Sequence, residues 1–336
     1  KLTNELKLQH FLVYEATTPN KQLPSSNIPR AIVENVESIS GDKSMYTSIQ
    51  LGGQRYAPEH FKDNVLQLVD NMYYNTDRIN YTFGADFMYT NMKSLYGSEM
   101  NGRFNFEHMT PYRYAREIAL VDDPTVKMNT LNSAIYGQLQ TKLFTGFEVM
   151  AGIRADYTRY FNHANFNQTV YDELGLRTDN VISTFQLQPR VQFTWDVNDK
   201  HQDIIRLGAG IFGSDLNNYS MINNMLFDGT KVASVDIQGN LVPTPNFPAY
   251  RKDPSTAPGV DLFNNPNIQK ISTINMNSKD ARVPVVYKLN ASYTHFFSDR
   301  LRVGISAYAN WARHNYMYVD RNMVDEPYFR IAAEGL

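Results

Sequence analysis

The 336-residue chain contains no cysteine. That absence removes disulfide staples, thiolate metal sites and thiol nucleophiles together, and it suits an oxidising compartment without fixing one. Neither sign of charge dominates, with 32 Lys and Arg against 34 Asp and Glu. A balanced chain offers no polybasic surface, so no nucleic-acid partner is expected. No apolar run reaches the about 18 residues of a membrane helix; the longest are pieces such as Val283-Pro-Val-Val-Tyr287. No leader-like segment opens the chain, because Lys1-Leu-Thr-Asn4 already reads as strand. Hydropathy alone therefore describes a soluble protein. It does not exclude a membrane barrel, which carries its apolar surface in every second residue.

Catalytic and metal signatures are also scarce. The seven histidines, His10, His60, His108, His163, His201, His295 and His314, never pair at i, i+4. No Gly-x-Ser-x-Gly elbow or Walker loop occurs. Asp196-Val-Asn-Asp-Lys-His-Gln-Asp203 has the acidity of a cation loop but neither its central glycine nor its closing glutamate, and reads as a polar turn. Asp122-Asp123, and Asp86 with Asp156, have the makings of acid–base pairs, yet inward carboxylates on a barrel wall are more simply lumen lining. The chain is read as a non-enzyme without cofactor, and no residue is given a catalytic or metal role.

What is abundant is Tyr, 22 residues, and Phe, 19, set beside only 2 Trp. They fall in a period-two pattern, the mark of strands with two unlike faces. Ile79, Tyr81, Phe83, Ala85, Phe87 and Tyr89 oppose Asn80, Thr82, Gly84, Asp86 and Met88. Phe147, Val149, Ala151, Ile153, Ala155 and Tyr157 oppose Glu148, Met150, Gly152, Arg154 and Asp156. Phe185 to Trp195 and Leu301 to Trp311 repeat the arrangement, placing Arg190 and Arg302 on the polar side.

Arg206-Leu-Gly-Ala-Gly-Ile-Phe-Gly-Ser-Asp215 contains a G-x-G-x-x-G spacing. A dinucleotide site would need a helix opening at Gly213 with its N-terminus toward the pyrophosphate, but Ser-Asp-Leu-Asn-Asn-Tyr-Ser follows without helical period. Ile205, Leu207, Ala209 and Ile211 alternate with Arg206, Gly208, Gly210 and Phe212. The segment is predicted to be another strand.

Two features favour lipid over a shared core on the apolar side. The apolar faces run about six positions per strand, near what a tilted strand needs to cross a bilayer. Aromatics also gather at strand ends, with Tyr73, Phe147 and Trp195 near one end and Tyr157 and Trp311 near the other, as an interfacial girdle would require. Strands are predicted over 3–16, 63–75, 79–91, 127–141, 145–158, 183–196, 203–213, 285–297 and 301–313. Short links (Thr76–Arg78, Lys142–Phe144, Val197–Gln202, Ser298–Arg300) alternate strictly with links of tens of residues, the longest from Ser214 to Pro284. Compact soluble domains rarely carry long loops on one side only; outer-membrane barrels do, with short periplasmic turns and long extracellular loops.

The fold class is thus all-β, an antiparallel transmembrane β-barrel segment. Its odd strand count leaves open edges, which hydrocarbon does not tolerate, so the chain is expected to be part of a larger barrel. Within the long loops, Ile28–Glu37 and Tyr112–Ile118 are predicted as short helices. Tyr160, Phe161 and Asn165 in the third loop, and Asn217, Tyr219 and Asn223 in the fourth, are candidate ligand contacts, because aromatic faces beside amides suit sugars, peptides and other amphiphilic solutes. Asp86, Arg154, Asp156, Arg190, Arg206 and Arg302 are the candidate lumen-facing residues.

Several phrases resemble TonB-dependent outer-membrane receptors. Ala-Gly-Ile-Arg-Ala-Asp-Tyr (151–157) is similar to their G-x-R-x-D strand, and Leu187–Val197 to their Pro-Arg strand ending at a periplasmic turn. Leu207–Asn224, followed by Pro284–Ser292, resembles the G-x-G-x-F strand, loop and return of the Oar-like branch, as Asp70–Phe87 resembles one of its hairpins, with Arg78-Ile79 where His is more usual. The resemblance implies the β-barrel portion, over 1–336, of a roughly 22-stranded barrel that takes up solutes too large or too scarce for porins. It implies partners too: outer-membrane lipid, a plug domain, the remaining strands, and the TonB complex reached through an N-terminal part that this sequence lacks. The ending Ala332-Ala-Glu-Gly-Leu336 differs from the aromatic ending of a closing strand. A receptor-like scaffold without transport, partnered by a surface lipoprotein, is the alternative; a soluble β-sandwich binding module is the third reading.

Overall fold

The computed structural model describes residues 1–17, 27–40, 43–214 and 216–323. Asp215 and the C-terminal stretch Ala332–Leu336 lie outside the described residues. Among the described residues, fifteen strands form two sheets. The larger sheet contains β1 (Leu2–Thr17), β4 (Glu59–Asn75), β5 (Ile79–Leu95), β8 (Val126–Phe144), β9 (Phe147–Tyr160), β10 (Ser183–Asp196), β11 (Asp203–Gly213), β14 (Val285–Ser298) and β15 (Leu301–Arg313), hydrogen-bonded in that order. All eight pairings are antiparallel. The nine strands expected from alternation are present. Several boundaries move: β4 begins at Glu59, β5 runs on to Leu95, and Lys142–Phe144 finish β8, so that the turn is Thr145-Gly146.

Antiparallel partners share a face, so the register sorts every side chain. Phe83, Phe87, Ile135, Ile153, Leu187 and Ile305 share the apolar face, and Ile153, Leu187 and Ile305 are 48%, 51% and 71% exposed. These side chains do not meet a second sheet. The soluble-sandwich reading fails on that point, because a sandwich buries its apolar faces against each other. On β5 the apolar run spans Ile79 to Tyr89. At about 3.4 Å per residue and a tilt of about 40° it covers roughly 26 Å along the membrane normal, the height of a barrel's apolar band.

The smaller sheet is built wholly from long connections. It contains β2 (Arg30–Ser40), β3 (Lys43–Gly52), β6 (Arg103–Glu107), β7 (Thr110–Ala119), β12 (Val232–Gln238) and β13 (Lys270–Ile271), in the order β13-β12-β7-β6-β2-β3. Both predicted loop helices are therefore strands. In β2 a register shift between Val33 and Val36, with Asn35 at φ 56°, is a bulge that breaks the period-two pattern in the sequence. In β7 the charged Arg116 and Glu117 interrupt the apolar positions. Arg116 nonetheless lies in the fold, donating to the carbonyls of Met100 at 2.9 Å, Ala257 at 3.1 Å and Pro258 at 2.6 Å.

Four short helices complete these connections: α1 (Gln168–Leu174), α2 (Asn218–Leu226), α3 (Phe247–Lys252) and α4 (Val260–Phe263). The first three are capped by Asn167, Asn217 and Asn246, whose side chains accept backbone N–H groups left over at the helix start. Two buried clusters result. Tyr160, Met128, Met221, Ile222 and Leu226 form one at the long-loop ends of the large sheet; Phe104, Tyr114, Val235, Ile237 and Tyr250 form the other within the small sheet. The large sheet has its apolar surface outside, the small one inside.

Candidate functional site

The polar face of the large sheet carries a connected set of charged and amide groups. Arg154 on β9 donates through Nε to Asp156, at 2.8 and 3.0 Å, and lies 3.5 Å from Asp86 on β5. Gln67 on β4 donates to Asp86 at 2.8 Å, and Gln188 on β10 donates to Asp156 at 2.8 Å. Arg190 then donates to Gln188 at 3.3 Å and covers the ring of Phe212 at 4.6 Å. The arrangement crosses four strands that contribute polar groups. The fifth strand between them, β8, contributes Tyr136, whose ring lies 5.3 Å from the Arg154 guanidinium and whose hydroxyl donates to Asn71.

Glycine makes that crossing possible. Tyr136 pairs with Gly84 and lays its ring where a Cβ at Gly84 would stand. The G-x-G-x-x-G segment works the same way. Gly208 sits in mid-strand opposite Asn290, whose side-chain amide occupies the Cβ position. These glycines admit neighbouring side chains and not a nucleotide.

Asp86, Arg154, Asp156 and Arg190 are thus brought together as one patch on the polar face. Arg206 and Arg302 share their face by register, Arg206 with Thr194 and Ser292, Arg302 with Phe296. They stand apart from the patch, and among the described residues neither enters an ion pair. Asp86 and Asp156 form no acid–base pair, since Arg154 lies against both. Asp196, in the acidic turn, accepts from the backbone N–H of its own His201 at 2.9 Å.

Of the aromatic-girdle residues, Phe147, Tyr157, Trp195 and Trp311 stand on the apolar face; Phe147 stacks on Phe144 at 4.7 Å and on Phe193 at 6.0 Å. Tyr73 does not. It shares the polar face with Thr3 and Thr82, and its hydroxyl reaches Glu5 at 3.5 Å. Its neighbour Tyr74 takes the outward place, stacked on Tyr81 at 6.1 Å.

The loop candidates divide sharply. Tyr160 is 1% exposed, with its hydroxyl donating to Asn218 at 3.0 Å and Leu216 at 3.3 Å, so it belongs to the core and cannot meet a solute. Asn165 donates to Thr230 at 2.8 Å, Asn217 caps α2, and Asn223 accepts from Asn275 at 3.0 Å. Their amides hold the loops. Phe161 and Tyr219 remain exposed, the first beneath Arg159 at 5.3 Å, the second edge-on to Tyr96 at 5.3 Å.

A cleft of about 1230 Å³ opens among α1, the fourth connection and the segment after β15. Asn217, Ser220, Asn275, Asn277, Tyr316 and Tyr318 are among its lining residues, and Ser220 and Tyr318 share a hydrogen bond of 3.1 Å. Glu173, Asp280, Arg282, Asp320 and Arg321 also line it, so the concavity offers charges of both signs beside amide donors, acceptors and phenol faces, which suits a polar, hydrogen-bonding solute. Only Asn217 was signalled by the sequence; the runs Ser272–Ser278 and His314–Asn322 carry a visible amide and aromatic excess, but their approach depends on the fold. Among the described residues no group of three or more His, Asp or Glu side chains could hold a metal ion.

Comparison with protein-family models matches residues 1–333 to one family, described as outer membrane beta barrel domain. No curated protein matches the chain. Among solved structures it is similar to the outer-membrane transporter YddB from Escherichia coli, at 11% identity and TM-score 0.45, over 89% of this chain and 30% of that one. The copper transporter OprC gives 10% identity and TM-score 0.40 over 93% of this chain and 44% of the other. The RagAB peptide transporter gives 11% identity and TM-score 0.30 over 76% and 30%. The chain therefore spans less than half the length of each of these structures.

Proposed function

This chain belongs to the outer membrane β-barrel domain family and lies in the outer membrane of a Gram-negative bacterium, and we propose that it forms wall and outer cap of a ligand-gated importer. In this reading strands beyond β1 and β15 complete a barrel of roughly 22 strands, a plug fills it, and TonB energises release. The reading belongs with the resemblance to TonB-dependent receptors, the Oar-like branch among them. The observation that supports it best is the polar patch from Gln67 through Asp86, Arg154 and Asp156 to Arg190. Interlocked charges and amides on the inward face can brace neighbouring strands and also offer polar partners to a folded plug that must be held and released. The cleft lined by amides, phenols and charges of both signs is the capture site, and its chemistry suits peptides or sugars.

The test is uptake by cells carrying the complete receptor, with and without TonB. Cells are offered a mixture of peptides and oligosaccharides, and the periplasm is analysed by mass spectrometry. Accumulation of a solute that needs both the receptor and TonB is the expected result; equal accumulation without TonB sinks the proposal. A scaffold role has one observation in its favour, the six-stranded loop sheet with its own core. Under that reading no solute accumulates in either strain, and a surface lipoprotein copurifies with the receptor.

A further inference from the structure

Three lysines far apart in sequence stand in one row. Lys62 of β4 pairs directly with Lys93 of β5, and Lys93 pairs directly with Lys127 of β8. All three are exposed on the outward face, while their strand neighbours Met92 and Met128 turn inward into the core. Cβ atoms of directly opposed residues are about 5 Å apart, and like charges so placed repel. Among the described residues none of the three enters an ion pair. Arg159 and His60 add positive or neutral groups, and Asp123, in the link entering β8, is the nearby carboxylate. Asp123 is engaged locally, accepting the backbone N–H of Thr125 at 2.9 Å; Thr125 chiefly, with Lys127 and His60 in lesser part, holds its carboxyl below the usual range.

The level of the row is informative. Leu66, Tyr89, Leu131 and Arg159 form one cross-strand row at the upper edge of the apolar band. Asn64, Asn91 and Asn129 form the next, with Asn91 donating to Asn129 at 2.6 Å. The lysines follow. Four residues beyond Tyr89, at about 3.4 Å each and a tilt of about 40°, the lysine row lies roughly 10 Å above the hydrocarbon edge. Apolar, amide and cationic rows thus match acyl chain, interface and headgroup in sequence.

We propose that Lys62, Lys93 and Lys127 form a binding site for a phosphate-bearing glycolipid headgroup of the outer leaflet. Three ammonium groups across about 10 Å of strand width place point charges on a phosphorylated sugar headgroup, and the anion removes the repulsion that the bare row carries. The site depends on the outward face meeting lipid, and not on the importer reading, so failure of either leaves the other standing.

The experiment uses the complete receptor in neutral maltoside detergent. Bisphosphorylated lipid A, dephosphorylated lipid A and inorganic phosphate are titrated and read by native mass spectrometry and thermal melting. Near an anionic surface each lysine contributes about a factor of five, so the Lys62→Gln/Lys93→Gln/Lys127→Gln variant should bind bisphosphorylated lipid A about a hundredfold more weakly. The triple arginine variant should keep most of the affinity, and Lys200→Gln, in a turn at the opposite end of the sheet, all of it. Dephosphorylated lipid A and inorganic phosphate should bind the native protein no better than lipid A binds the glutamine variant. Without lipid, that variant should melt at the native temperature or above, because the repulsion is gone. Equal binding of lipid A by native and glutamine proteins overturns the proposal. So does equal binding of the dephosphorylated lipid, inorganic phosphate matching lipid A, or a glutamine variant that melts lower in lipid-free detergent while keeping its lipid affinity.

Discussion

The two sheets of this chain use one local rule to opposite ends. Both alternate side chains with a period of two, but the nine-stranded wall turns its apolar members out and the six-stranded loop sheet turns them in. Leu187 and Ile305 are exposed, whereas Phe104, Tyr114 and Val235 are wholly buried. A sheet in lipid needs no partner layer, since acyl chains take the place of a core and only the lateral hydrogen bonds must be completed. A sheet in water must find a second layer. The loop sheet finds it in the helices and turns of the fourth connection, where Phe247 and Tyr250 of α3 pack on Phe104 and its neighbours. Alternation therefore fixes the presence of a strand, and the surrounding solvent fixes what its faces mean.

Substituting each sheet at its own apolar face breaks this contrast most directly. Tyr114→Ala removes a fully buried ring and its hydrogen bond to the Pro258 carbonyl at 2.6 Å, and should cost the loop layer about 3–5 kcal/mol. Hydrogen exchange over 103–119 and 232–238 should rise by orders of magnitude while the barrel still inserts. Loss of insertion would show that loop core and wall fold as one unit. Ile153→Arg, near mid-height of the apolar band, should do the reverse. Arginine facing lipid at the midplane costs about 2–4 kcal/mol and near the interface about 0–1, so Tyr157→Arg at the end of the same strand should be nearly silent. Urea titration of the protein folded into lipid vesicles reads both. Equal effects at the two positions would contradict the outward assignment of this face.

The wall was legible in the sequence because its alternation persists through each strand and its connections alternate in length. The loop sheet was not. The bulge in β2 displaces the pattern by one residue, and Arg116 and Glu117 sit where a sequence reader expects apolar side chains. Adjacent tyrosines posed a similar ambiguity, since only the register of β4 decides that Tyr74 faces outward and Tyr73 inward. The ligand candidates divide for another reason. Asparagine and tyrosine in loops suit solutes and also suit caps and cores: Tyr160, Asn165 and Asn223 are engaged in the latter, Asn217 caps α2 while lining the cleft, and Phe161 and Tyr219 stay exposed. Pairing across strands, which no single stretch of sequence contains, is what assembles Asp86 with Arg154 and Lys62 with Lys93 and Lys127.

Glu117 gives the loop layer a pH dependence that the wall should not share. Its carboxyl is buried and pushed up to about 7 from an ordinary 4.5, chiefly by loss of hydration, with Glu99 adding to the rise and the Ser98 backbone N–H, at 2.8 Å, opposing it. The unfolded loop releases this proton at lower pH than the folded one. Stability is therefore full below about 4.5, falls as pH rises toward 7, and is flat above. The whole change amounts to about 3 kcal/mol at most. Hydrogen exchange over 98–119 should accelerate between pH 5 and 8 beyond its intrinsic rate in the native protein and not in Glu117→Gln. A similar dependence in the variant would assign the effect elsewhere.

The smallest expected effect concerns the polar face of the wall, where neither lipid nor a buried core acts. Arg154→Met removes the guanidinium from between Asp86 and Asp156 and leaves Gln67 and Gln188 as their remaining donors. The groups are partly hydrated, with the Arg154 side chain 30% exposed, so charge-assisted hydrogen bonds here should contribute about 1–2 kcal/mol and not the larger sums of a dry site. A double-mutant cycle with Asp156→Asn separates the pair from its surroundings. Coupling of about 0.5 kcal/mol or more, measured on the protein in lipid vesicles, would make the patch a structural lattice that braces neighbouring strands. Coupling near zero, with both single variants silent, would leave the charges free for whatever enters the lumen. In that event the patch is held ready for a partner and stabilises nothing by itself.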